Sequence, residues 1–115
     1  MGRWNLATQV SEIVRTQMFP WLLALAATET RRIRLGAGTA VAGTRIPPVT
    51  ASAIATINRL APGRVVLGIG TGNTAMRAMG QRPMTQADFA EYVRVLGALL
   101  RGEKVEYTWR GRTTP

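Results

Sequence analysis

The chain is predicted to be an α/β protein built on a parallel sheet, and three observations carry that prediction. Helix-like and strand-like stretches alternate: an alanine- and leucine-rich run after Phe19, an apolar segment Ile33 to Gly38, a helical face after Pro47, and a second apolar segment Arg64 to Ile69. Alternation of this kind implies parallel strands joined by right-handed crossovers. The second apolar segment carries no polar side chain after its first residue, as expected of a strand covered by helices on both faces. Both segments also end in glycines, in Gly36-Ala37-Gly38-Thr39 and Gly68-Ile69-Gly70-Thr71-Gly72-Asn73.

Residues 1–18 form a segment of their own, in which Leu6, Val10, Ile13 and Val14 have the spacing of an amphipathic helix. The main domain is expected over residues 19–115. Pro20 suits the first turn of a helix, where its missing N–H costs nothing, and the run to Ala27 favours helix by propensity. Arg31 and Arg32 then stand where cations complement a helix C-terminus. Pro47 and Pro48 open a second helix whose face is read as Val49, Ala53, Thr56, Ile57 and Leu60, with Ile54 beside them; Pro62 and Gly63 stop it. Thr85 caps a third, with Asp88 three residues on in a capping-box-like position. Its buried stripe is read as Phe89, Tyr92, Val93, Leu96, Leu99 and Leu100, and Gly102 is placed to end it. Val105 to Trp109 is a candidate short strand leading into the turn-like pair Arg110-Gly111.

Composition removes several chemistries. Cysteine and histidine are absent, which excludes disulfides, Cys/His metal sites, thiol nucleophiles and any Ser-His-Asp triad. The net charge of +9 comes from 15 Lys+Arg against 6 Asp+Glu. The arginines are spread from Arg3 to Arg112 and the few aromatics are not interleaved with them, which argues against a nucleic-acid partner. The longest apolar run, Trp21 to Ala27, is too short to span a bilayer, and no secretory signal follows Arg3. A cytoplasmic protein without membrane contact is expected.

Chemistry in parallel α/β folds collects beyond the carboxyl ends of the strands, so the two glycine clusters are the candidate ligand-facing features. Gly70 to Ala75 fits the dinucleotide fingerprint G-x-G-x-x-G/A, with Glu91 at about the customary distance. The fingerprint requires that acid at a strand end, whereas Glu91 is expected inside the helix running from Gln86. Glycines that merely turn the chain and pack closely remain a competing explanation. Arg77, four residues past Asn73, could contact a phosphate or carboxylate, although an exposed or helix-pairing role is the simpler one. Trp4, Trp21 and Trp109 are read as core or interface residues rather than ligand platforms.

Several motifs recur in a recognisable order: Thr30 to Gly38 (TRRIRLGAG), Ile46 to Thr50 (IPPVT), Ala61 to Gly72 (APGRVVLGIGTG), Ala75 to Gly80 (AMRAMG), Phe89 to Tyr92 (FAEY) and Leu99 to Glu103 (LLRGE). Together they resemble the bacterial luciferase-like family of flavin-dependent monooxygenases and deazaflavin-dependent reductases and dehydrogenases. The resemblance implies a partial (β/α)8 TIM barrel, roughly strands three to five, with Ile33 to Thr39 as the third strand and Arg64 to Gly70 as the fourth. It implies FMN or a deazaflavin of the F-420 type as cofactor, acting on a small organic substrate. The residues it places against the cofactor are Gly38, Thr39, Gly70, Thr71, Gly72 and Asn73. It also implies a non-proline cis peptide at Gly38–Thr39. Asn73 stands where the deazaflavin-using branch commonly has an acid; an amide can hydrogen-bond but cannot act as a general acid.

The chain is well short of the ~250 residues of a complete barrel. It is therefore expected to be a partial product of an oxidoreductase gene, weak or inactive alone, exposing strand edges that favour a homo-oligomer or a complementary barrel fragment. The alternative expectation is a small basic interaction module that binds acidic polymers or a partner chain.

Overall fold

The computed structural model describes residues 19–114. The expected helix within residues 1–18, including Trp4, lies outside the described residues. Helix α1 (Phe19–Glu29) is followed by strand β1 (Leu35–Val41), a 3-10 turn (Ala42–Thr44), helix α2 (Pro47–Leu60), strand β2 (Val65–Gly70), helix α3 (Asn73–Ala78), helix α4 (Gln86–Leu100) and a hairpin of β3 (Tyr107–Trp109) and β4 (Arg112–Thr114). β1 and β2 pair in parallel, with Leu35 opposite Val65 and Val41 opposite Gly70, and α2 is the crossover between them. The third expected strand does not join this sheet. It pairs antiparallel with β4 across the two-residue turn Arg110-Gly111, whose φ angles of 48° and 78° suit a tight hairpin.

The helices lie on one side of the sheet. Leu23, Ala26 and Ala27 of α1 pack with Leu35, Ala61 and Val65, while Leu67 and Ile69 pack against Ala42, Ala51, Tyr92 and Leu96. Side chains alternate across a strand, so Val66, Gly68 and Gly70 face the opposite way, as Gly36 does on β1. Val66 is 42% exposed. The expectation of cover on both faces is thus corrected: among the described residues only one face is covered, because α1, α2 and α4 all pack on it. The apolar run of β2 reflects small glycines on the open face rather than a second layer.

Two polar anchors hold the layers together. The first joins α1 to the sheet: the Arg64 guanidinium donates to the carbonyls of Ala27 (3.3 Å), Thr30 (3.1 Å) and Ile33 (2.9 Å) and to Thr30 Oγ1 (3.0 Å). Arg64 thus reaches the Ala27 carbonyl in the last turn of α1 and two carbonyls just beyond the helix, while Thr30 Oγ1 donates to the Ala26 carbonyl. Arg31 and Arg32, expected in that role, are exposed beyond it. The second joins α2 to α4. Tyr92 OH donates to the Arg45 carbonyl at 2.9 Å and lies 2.7 Å from Thr50 Oγ1, which then donates to it. The buried face of α2 differs from the one expected. It comprises Pro47, Thr50, Ala51, Ile54 and Ile57, whereas Val49 and Leu60, expected inside, are exposed.

α4 follows its sequence signals at both ends. Thr85 Oγ1 accepts from Asp88 N at 3.2 Å. At the C-terminus Gly102 (φ 78°) donates to Leu99 O and Glu103 to Ala98 O, the paired bonds of a Schellman ending. Tyr92, Val95, Leu96 and Ala98 are buried, while Val93 and Leu100 turn outward. Among the described residues no helix is long and apolar enough to cross a membrane.

Burial pushes the Tyr92 phenol above its ordinary pKa, and the Thr50 hydrogen bond and the nearby Arg45 charge offset that only in part. The folded chain thus holds this proton more tightly than the unfolded one. The resulting stability is complete below the ordinary phenol value of about 10 and is lost as pH rises through the folded value. Tyr92→Phe is expected to lose about 1–3 kcal/mol, since it leaves the Thr50 hydroxyl and the Arg45 carbonyl short of a partner. Denaturant melts across alkaline pH should also show the variant's Tyr92-dependent fall in stability abolished.

Candidate functional site

The carboxyl half of the sheet is shaped by an irregularity in β1. Ala37 pairs with Leu67 and Ala40 with Ile69, so Gly38 and Thr39 together oppose the single residue Gly68. This is a β-bulge. The Gly38–Thr39 peptide within it is cis, as the family resemblance implied. β1 runs on to Val41, so Gly38 lies in the strand interior rather than at the strand end expected from the sequence.

The glycines around the bulge divide into two groups. A Cβ on Gly36 would lie 2.7 Å from the Val66 carbonyl oxygen, and one on Gly68 would lie 2.5 Å from that of Ala37. A Cβ on Gly72 would overlap Val41 Cγ1, and its φ of 77° is a left-handed value that favours glycine. These three are glycines because neighbouring atoms occupy the space. Gly38 and Gly70 differ: a Cβ at either would meet nothing within 4 Å. The sheet therefore presents bare backbone to open space at these two positions on adjacent strands.

Thr71 and Asn73 continue from Gly70. The Thr71 carbonyl accepts from Met84 N at 3.3 Å, tying the turn to the segment before α4. Asn73 opens α3, a six-residue helix that sequence reasoning missed because it is too short to show a periodic face. Asn73 Oδ1 accepts from Arg77 Nε at 2.9 Å, the pairing role anticipated for Arg77. Glu91 lies within α4, not at a strand end, which removes the dinucleotide fingerprint. The six predicted residues lie in two stretches: Gly38 and Thr39 in the bulge of β1, opposite Gly68, and Gly70 to Asn73 from the end of β2 into α3. They offer backbone surface, hydroxyls and an amide.

Comparison with known proteins bears on this arrangement. The family model for luciferase-like monooxygenase matches residues 9–115. The chain belongs to that family. An F420-dependent glucose-6-phosphate dehydrogenase from Beutenbergia cavernae is 40% identical over 92 residues, covering 75% of this chain and 27% of the relative. A 5,10-methylenetetrahydromethanopterin reductase from Archaeoglobus fulgidus is 37% identical over 90 residues, covering 75% and 26%. An F420-dependent hydroxymycolic acid dehydrogenase from Mycobacterium tuberculosis is 36% identical over 98 residues, covering 79% and 27%. The chain thus spans about a quarter of the length of these luciferase-like relatives. No solved structure gave a significant match.

A second feature was not anticipated. A cleft of about 640 Å³ opens between α4, the hairpin and residues 81–85. Its walls include Met76, Met84, Tyr92, Val95, Tyr107 and Trp109, and none of the six predicted residues lines it. The Tyr92 and Trp109 rings lie 6.0 Å apart and tilted by 56°. These two aromatics were visible in the sequence, but only the return of the hairpin along α4 brings them together.

The contrast among the glycines is directly testable. Gly68→Ala should lose about 1–3 kcal/mol of unfolding free energy through overpacking against the Ala37 carbonyl. Gly70→Ala should stay within about 0.5–1 kcal/mol of the parent, the scale of a glycine-to-alanine change at an unconstrained position. Thermal and urea melts of the two variants measure the difference.

Proposed function

We propose that this chain is the cofactor-facing segment of a luciferase-like oxidoreductase that uses a deazaflavin of the F420 type and acts on a small organic substrate. The observation that carries this reading is the side-chain-free backbone at Gly38 and Gly70. A planar ring system needs a flat wall it can approach closely, and two open glycines on adjacent strands fit that need. Thr39, Thr71, Gly72 and Asn73 complete the edge of this surface. The names of the relatives favour deazaflavin over FMN. When bound, a deazaflavin would supply hydride transfer.

The chain's own contribution is binding and orientation. Gly38 and Gly70 leave the ring face unobstructed. Thr39 and Thr71 can each donate or accept one hydrogen bond at its edge. Asn73 is neutral and its Oδ1 is already held by Arg77, leaving its Nδ2–H groups to orient an acceptor. No side chain among the six titrates near neutrality, so a proton needed by the reaction has another donor.

We further propose that β1 and β2 are the third and fourth strands of an eight-stranded barrel and that activity requires the other strands. The outer edges of the two-stranded parallel sheet, together with exposed Trp21, Leu22 and Leu25 on α1, are consistent with a chain that works beside further barrel segments. Fluorescence titration tests both parts. The isolated chain should bind F420 only weakly, and more tightly than FMN. Micromolar binding by a monomer would refute the claim that the chain alone is inactive, and a preference for FMN would remove the deazaflavin assignment.

A further inference from the structure

We propose that the cleft between α4 and the hairpin is a second ligand site, taking a small aromatic or apolar molecule that carries one anionic group such as a carboxylate. This does not rest on the cofactor reading, because none of the six residues proposed to face the cofactor lines the cleft.

Size and surface come first. About 640 Å³ lies within the range of roughly 300–1,000 Å³ typical of small-molecule pockets. The tilted pair of Tyr92 and Trp109 forms one aromatic wall, and Met76 and Met84 supply side chains that adapt to an irregular apolar shape.

The charges decide the ligand class. Arg82, Arg110, Asp88 and Glu91 all line the cleft. Glu91 is neutralised locally: Arg94 donates to both its oxygens at 2.7 Å, which also holds its pKa below the usual carboxylate range. Asp88 lies in the first turn of α4, where the helix dipole favours a negative charge. Neither arginine has such a partner; among the described residues no ion pair engages Arg82 or Arg110. The cleft therefore offers two guanidinium groups without an ion-pair partner, against the single unpaired carboxylate of Asp88, beside an apolar wall.

Arg110 provides an independent observation. Its φ of 48° places an arginine in the left-handed region, at the first central position of a turn that favours asparagine or glycine. Its guanidinium lies 5.8 Å from the centre of the Trp109 ring, at the cleft. Unfavourable backbone conformations of this kind cluster at ligand clamps.

The test uses the full chain and two probes of the same ring, naphthoate and naphthalene methanol, followed by proton–nitrogen NMR of the backbone amides and tryptophan indoles. Saturable shifts are expected at the Trp109 indole and the Gly111 amide but not at the Trp21 indole. Naphthoate should bind about tenfold more tightly than the alcohol, as a charge-assisted hydrogen bond predicts. Arg110→Asn should cut naphthoate affinity several-fold while raising or preserving the melting temperature, and the further change Arg82→Gln should abolish the difference between the probes. Equal affinities for the two probes, shifts at Trp21 as large as those at Trp109, or unaltered naphthoate binding by Arg110→Asn would each overturn the proposal.

Discussion

Where β1 and β2 run side by side, backbone carbonyls come within 2.5–2.7 Å of the points that side chains on Gly36 and Gly68 would occupy. That close approach governs much else in the molecule. It forces glycine at both positions, so that on the open face of the sheet Val66 stands among glycines. The helices can then gather on the other face, where Leu35, Val65, Leu67 and Ile69 supply the apolar contacts. An open face and a packing face are thus separated by the alternation of a single pair of strands.

Two polar anchors hold these layers together. Arg64 ties the last turn of α1 to the sheet through the Ala27 carbonyl, and Tyr92 links α4 to Thr50 of α2 and to the loop before it through Arg45. At the entry to that loop the Arg45 guanidinium lies 4.7 Å from the centre of the Phe19 ring, joining the start of α1 to the same corner. With these side chains committed to structure, the bulge of β1 and the turn after β2 are left with glycine, threonine and asparagine.

Local signals were legible wherever the relevant partner was close in sequence. The ends of α4 could be read from Thr85, Asp88 and Gly102 because caps act within one turn. The start of α2 could be read from Pro47 for the same reason. Errors arose where the partner was distant. The inward face of α2 was misread because Thr50 is buried by a hydroxyl 42 residues away. Arg31 and Arg32 were adjacent to the C-terminus of α1, yet the cation that reaches it comes from the start of β2. The open face of the sheet was missed because an apolar strand with glycines at alternate positions looks, in one dimension, like a strand buried on both sides.

The candidate site divides in the same way. By itself the sequence determined the alternating α/β order and the family, because motif order is a property of the chain alone. Only the tertiary structure decided which glycines are filled by neighbours and which face open space, since that depends on atoms from the adjacent strand. The aromatic cleft belongs wholly to this second category. Tyr92 and Trp109 are 17 residues apart in the sequence, and their pairing arises because the hairpin folds back along α4.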